Sequence, residues 1–168
     1  GGSVHPSFSP GDATIYFGSS ASGSAQIWGM LPNGAGLEQK TNGLGPDFPE
    51  ANVPEWSRQG VLTFWSGFEG LFGEVLTWDL LGGQPPILRT STIDPSSSDN
   101  PTWAPDGTRV LFDSNQGGGA GPTNLWSVDV QGLGALPSVH LPGGVLQSSW
   151  QPLFGVPQCS EDLDAVSY

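Results

Sequence analysis

The side chains that could do chemistry are few and widely spaced. The chain has two histidines, His5 and His140, and one cysteine, Cys159. Nucleophilic hydrolysis needs a hydroxyl or thiol held beside a base. The sequence has no Gly-x-Ser-x-Gly elbow, the turn that exposes such a serine. A lone Cys offers no internal disulfide and no Cys-based metal site. Calcium needs several converging oxygen ligands, and no Asp-x-Asp-x-Asp loop occurs. Asp106 belongs to a turn. Asp79 and Asp129 precede Gly-containing turns, where carboxylates commonly accept from backbone N–H groups. Glu50, Asp94 and Asp99 fall between the strand-like stretches. The expectation is no catalytic set, no cofactor and no metal.

Charge narrows the partners. Sixteen acids against four Lys and Arg give a net charge of −12 over 168 residues. Nucleic acid and anionic membrane surfaces both need cationic side chains, so neither is expected. No apolar run approaches the roughly 18–20 residues that span a bilayer, so membrane association is expected only through a partner. The acid suits a basic protein partner or a cation, and also simple solubility of a Gly-rich surface. The chain opens Gly1-Gly2-Ser3, with neither an initiator Met nor a signal segment. A processed product or a segment of something longer is therefore expected.

The elements that must position these groups are read from a repeat. Trp103-Ala-Pro-Asp-Gly107 precedes Arg109-Val-Leu-Phe112. Pro105 presets φ at the second turn position, and Gly107 takes a conformation that a Cβ resists. Phe8-Ser-Pro-Gly-Asp12 precedes Thr14-Ile-Tyr-Phe17, and Trp56-Ser-Arg-Gln-Gly60 precedes Val61-Leu-Thr-Phe64. A fourth start appears at Trp150-Gln-Pro152. A third marker follows each turn: Ile27-Trp28, Thr77-Trp78 and Leu125-Trp126. A fourth is basic: Lys40-Thr41, Arg89-Thr90 and His140-Leu141. A period near 47 with alternating strands in each unit points to propeller blades. Gly and Pro interrupt every candidate helical window.

This pattern resembles the WD40-like PD40 repeat of TolB-type β-propellers. The match runs over about residues 4–152. It is best at Pro101-Thr-Trp103-Ala-Pro-Asp-Gly107 with Leu125-Trp126-Ser-Val-Asp129. It departs at Gly11-Asp12, where the family order is Asp-Gly, and at Arg58-Gln59-Gly60, which replaces Pro-Asp-Gly. The resemblance implies an extracytoplasmic protein, periplasmic or secreted. In family members fused to a hydrolase, it implies that the catalytic residues lie in the other domain.

The fold expected is all-β: three four-stranded blades plus one strand of a fourth. A flexible lead covers 1–4. The blades fall at about 5–45, 52–92 and 100–142, with a partial unit at 145–152 and an acidic tail at 153–168. The strands expected in the second blade are 53–57, 61–66, 74–80 and 86–90. Phe8, Trp56, Trp103, Phe17, Phe64 and Phe112 should be buried. Ile15, Phe17 and Ile27 should form the open face of the first blade. Ordinary rings need at least four blades, so further protein is expected beside these residues.

One position breaks the repeat. Trp65 stands where Gly18 and Asp113 stand in the other units, next to the apolar stretch Gly67-Phe-Glu-Gly-Leu-Phe-Gly73. Trp65, Phe68, Leu71 and Phe72 are therefore the expected partner-binding residues. The function expected is a non-catalytic protein-binding or scaffold module, an accessory part of a larger assembly. The alternative is the propeller domain of a hydrolase or carbohydrate-active protein whose catalytic part lies elsewhere.

Overall fold

The computed structural model of the chain describes residues 3–11, 13–68, 72–90, 97–115 and 124–130. The described residues are strands and turns, with no helix. Sheet 1 comprises β1 (Ser3–Phe8), β2 (Ile15–Ser19), β3 (Gln26–Met30) and β4 (Glu38–Gln39), antiparallel and in chain order. Sheet 2 repeats this with β5 (Glu50–Trp56), β6 (Leu62–Phe68), β7 (Phe72–Trp78) and β8 (Ile87–Leu88). Sheet 3 holds β9 (Ser98–Trp103), β10 (Arg109–Ser114) and β11 (Asn124–Asp129). The end of the expected third blade, the partial unit at 145–152 and the acidic tail at 153–168 lie outside the described residues. The result is the expected all-β, incomplete propeller.

The three sheets stack face to face. Strand side chains alternate, so each sheet offers two faces. One face of sheet 2, with Trp56, Leu62, Phe64 and Leu76, packs on Tyr16 and Ile27 of sheet 1. Tyr16 meets Trp56 edge-on at 5.0 Å. The other face carries Val75 against Trp103, Val110, Phe112 and Val128 of sheet 3. The short PD-type turns line up as well, since Gln59 Nε2 donates to the Asp106 carbonyl at 2.7 Å.

A polar lock sits at each interface, one residue before the repeating aromatic. Ser7 Oγ accepts the Trp56 N–H at 3.2 Å. Glu55, the equivalent of Ser7, accepts the Trp103 N–H at 3.2 Å and the Thr102 hydroxyl at 3.0 Å. The Trp103 indole in turn donates to the Glu55 carbonyl at 3.2 Å. A second lock closes each four-stranded sheet. Thr41 Oγ1 accepts from the Ile27 N–H at 2.9 Å and donates to Gln26 Oε1 at 2.7 Å. Thr90 does the same with Val75 N–H and the Glu74 carboxylate. These hydroxyls replace a long fourth strand. β4 and β8 are only two residues long, β8 against the expected 86–90, and Pro85-Pro86 before β8 removes two ladder donors.

Three further expectations are corrected. The third marker is misaligned in unit 2: Phe17 pairs with Trp28 and Phe112 with Trp126, but Phe64 pairs with Leu76. Trp78 lies two residues on, and a slip of two keeps the same face, so the pattern hid it. Ile27 is fully buried against sheet 2 rather than on the open face. Phe8 is 52% exposed, whereas its equivalents Trp56 and Trp103 are 8% and 6% exposed. Phe17 is half-buried. The cause is common to both: no described sheet precedes sheet 1.

Two measurements check the stacking. Trp103→Ala should cost about 3–5 kcal/mol in chemical unfolding, the range for deleting a buried aromatic. Burial pushes the Glu55 carboxyl above its ordinary 4.5, and the hydrogen bonds from Thr102 and Trp103 only partly oppose this. A raised acid gives its full stability below its ordinary value, and that stability is lost as pH rises through the raised value. Glu55→Gln keeps the acceptor but does not titrate. Its melting temperature should therefore gain on the wild type as pH climbs from 4 to neutrality. Glu55→Ala leaves two donors unmet and should lose about 1–3 kcal/mol.

Candidate functional site

The first strand of every sheet contains a proline: Pro6, Pro54 and Pro101. A proline cannot donate to the ladder, so the pairing must break there. Each strand does so with a bulge, seen as register shifts at Val4/Ser7, Asn52/Glu55 and Leu111/Asp113. The residue before each proline is left-handed: His5 at φ 53°, Val53 at 53° and Asn100 at 51°. For the β-branched Val53 this is an outlier that costs on the order of 1–3 kcal/mol.

Val53 and Asn100 line a cleft of about 190 Å³ where the inner strands of sheets 2 and 3 meet the end of the Ala25 loop. Glu50, Asn52, Trp65 and Asp99 complete its wall. Asn52 of sheet 2 lies over Gly18 of sheet 1, and at the equivalent place Asp99 of sheet 3 lies against Trp65 of sheet 2. Burial raises the Asp99 carboxyl above its ordinary value, against the Ser97 hydroxyl, which donates to it at 3.0 Å, and the facing Trp65 indole. The Trp65 N–H points to this carboxylate but does not reach hydrogen-bond geometry. Asn100 Nδ2 donates to Asp113 at 3.1 Å. The cleft offers carboxylates and amides but no nucleophile with a base. Among the described residues no group of three or more His, Cys, Asp or Glu converges.

The expected partner-binding residues separate. Trp65 is 8% exposed and lies on the sheet 3 side of sheet 2. Phe68 and Phe72 project from the opposite side, because three positions along a strand reverse the face. The apolar stretch between the expected strands 61–66 and 74–80 is strand at both ends: Phe68 and Phe72 are a cross-strand pair, with rings 5.3 Å apart and edge-on. Phe68 is 37% exposed and Phe72 half-buried. Leu71 lies outside the described residues, as do His140 and Cys159. His5 is exposed on the bulge.

A second candidate surface is the open face of sheet 1. Register matches Phe8, Ile15 and Phe17 to Trp56, Leu62 and Phe64, and to Trp103, Val110 and Phe112. Trp28 and Met30 continue the same face. In sheets 2 and 3 the matching faces are covered by the preceding sheet. Here they are exposed or half-buried.

The sequence signals missed were local but periodic. The proline repeat at 6, 54 and 101 announced the bulges. Ser19, Ser66 and Ser114 recur and are buried; Ser66 donates to the Glu50 carbonyl at 2.6 Å and Ser114 to the Ser97 carbonyl at 2.8 Å.

No family model matches the sequence, and no curated protein does. Solved structures do match. A protein assigned as TolB from Agrobacterium tumefaciens superposes with a TM-score of 0.60 at 17% identity, over 77% of this chain and 46% of its own. TolB from Acinetobacter baumannii gives 0.55 at 20% identity, over 79% and 31%. A prolyl endopeptidase gives 0.52 at 15% identity, over 78% and 20%. At these identities the likeness shows the fold, a TolB-like β-propeller. The chain spans less than half the length of each of these structures.

The fit of Trp65 can be tested from its floor. A Cβ on Gly73 would stand 1.6 Å from the Trp65 indole nitrogen, a contact that only displacement of the ring relieves. Gly73→Ala should destabilise by about 1–3 kcal/mol. Paired with Trp65→Phe, the double variant should lose clearly less than the sum of the singles.

Proposed function

We propose that this chain is a non-catalytic protein-binding module built of PD40-type repeats, working as an accessory part of a larger extracytoplasmic assembly. The observation that carries this reading is the open face of sheet 1. An apolar sheet face matched residue for residue to two buried interfaces is a surface made for protein contact. The Phe68–Phe72 pair, with Leu71 beside it in sequence, is a second contact point at the hairpin tip. Trp65 supports that hairpin from the other side of the sheet. The net charge of −12 favours partners that are neutral or basic where they meet the chain's polar rim.

A second reading rests on the comparisons. Two of the similar structures carry enzyme names, a prolyl endopeptidase and a puromycin hydrolase. The chain would then be the propeller part of a hydrolase whose catalytic residues lie outside it, and its face would still bind protein.

Site-specific photo-crosslinking separates contact from solvent. Benzoyl-phenylalanine in place of Phe8 should capture protein in the native source. The same group at Leu81, exposed and away from the face, should not. Equal yields at both positions would remove the docking face. A captured hydrolase domain would favour the second reading.

A further inference from the structure

We propose that the cleft between the inner strands of sheets 2 and 3 binds a neutral polyhydroxyl ligand, a sugar ring. The site is separate from the open face of sheet 1 and does not depend on what covers that face. It lies where the repeat is broken on both sides of one seam. Between sheets 1 and 2 the equivalent pair is Asn52 over Gly18, with the amide in the space that a Cβ would need. Between sheets 2 and 3 the pair is Asp99 against Trp65. An amide on a glycine is thus traded for a carboxylate facing an indole, and a cleft of about 190 Å³ opens there.

The Trp65 indole carries the argument. The residue is 8% exposed, and its N–H has no hydrogen-bond partner. A buried donor left unmet is costly unless a ligand or a water meets it. This one faces the Asp99 carboxylate across the cleft without bonding to it. A hydroxyl answers both groups on one atom, since its oxygen accepts from the indole while its proton goes to the carboxylate. An ammonium or guanidinium can donate to Asp99 but accepts nothing from Trp65. An anion can accept from Trp65 but meets Asp99 and Glu50 as like charges.

The other walls call for further hydroxyls. Asn52 Oδ1 accepts the Val53 N–H at 2.8 Å, which leaves Nδ2 as the donor end of that amide. Glu50 brings a second carboxylate to the same cleft. A wall of mixed donors and acceptors is met by neighbouring hydroxyls, each of which does both, and a sugar ring carries a row of them. Val53 is held at φ 53° beside Asn100 at 51° to shape this wall, and backbone strain of this kind collects at ligand sites. Pockets for drug-sized ligands run to about 300–1,000 Å³, so this smaller one suits a single ring or the end of a chain.

The test is proton–nitrogen NMR of the isotope-labelled full chain, with the Trp65 indole signal assigned by its loss in Trp65→Phe. The titrants are D-glucose, D-galactose and N-acetylglucosamine, with propionamide and methylguanidinium as comparisons. The expected result is a saturable shift of the Trp65 signal with at least one sugar, while the other indole signals stay in place. Asp99→Ala should weaken that sugar about tenfold or more, as loss of a hydrogen bond to a charged group does. If Asp99→Ala fails to fold, the comparison of titrants on the wild type carries the test. A disaccharide of the same sugar that binds more tightly marks a chain end as the ligand, and one that does not marks a free sugar; both uphold the site. No shift with any of the sugars, a shift shared by all the indoles, an equal or stronger response to propionamide or methylguanidinium, or binding indifferent to Asp99→Ala would overturn it.

Discussion

Every described sheet is apolar on two sides, and that constraint governs the rest. A sheet that covers one face on a core and wets the other can stand in a sandwich. One with Phe64 on one side and Val75 on the other cannot. It must be held between neighbours, and the neighbours inherit the same need. Stacking therefore propagates, each unit stabilised mainly by the next. The backbone locks at Ser7 and Glu55 then fix how far one sheet slides over another, which apolar packing alone fixes poorly.

The fold was legible because the repeat reports positions whose chemistry is obligatory. Trp103, Pro105 and Gly107 each have a steric or packing reason, and Gly107 indeed sits at φ 71° with its N–H on the Ala104 carbonyl. The register within the third strands was less legible. Trp78 and Leu76 share a face and both are apolar, so the eye takes the larger residue. The turn of unit 2 is also one residue shorter: Ser57 bonds to Val61, whereas Ser9 bonds to Thr14 and Ala104 to Arg109. Such a deletion shifts the downstream count without changing the pattern.

The sites were harder, for a different reason. Trp65 stood out in sequence as an unmatched aromatic, which reads equally as contact surface or as a local filler. Three dimensions give it a place: its ring covers Gly73 and faces Asp99. Glu55 gave no signal, because Ser7, Glu55 and Thr102 share no residue type and only the oxygen matters. Exposure at Phe8 could not be read from the sequence either. Its type is that of a core residue, and only the absence of a described sheet before it leaves it open.

The inequality of the locks has a consequence for modularity. Sheets 1 and 2 meet through a hydroxyl, sheets 2 and 3 through a half-buried carboxylate with two donors. Arg89 adds a further asymmetry: burial lowers its guanidinium, and Asp129 of sheet 3 holds it up. The units thus share a shape but not an address. A permuted or shuffled array would keep its hydrophobic pattern and misplace its charges. Glu55 would then face a neighbour without Thr102, and Trp65 a neighbour without Asp99. The units repeat one pattern, but their order is written into the seams between them.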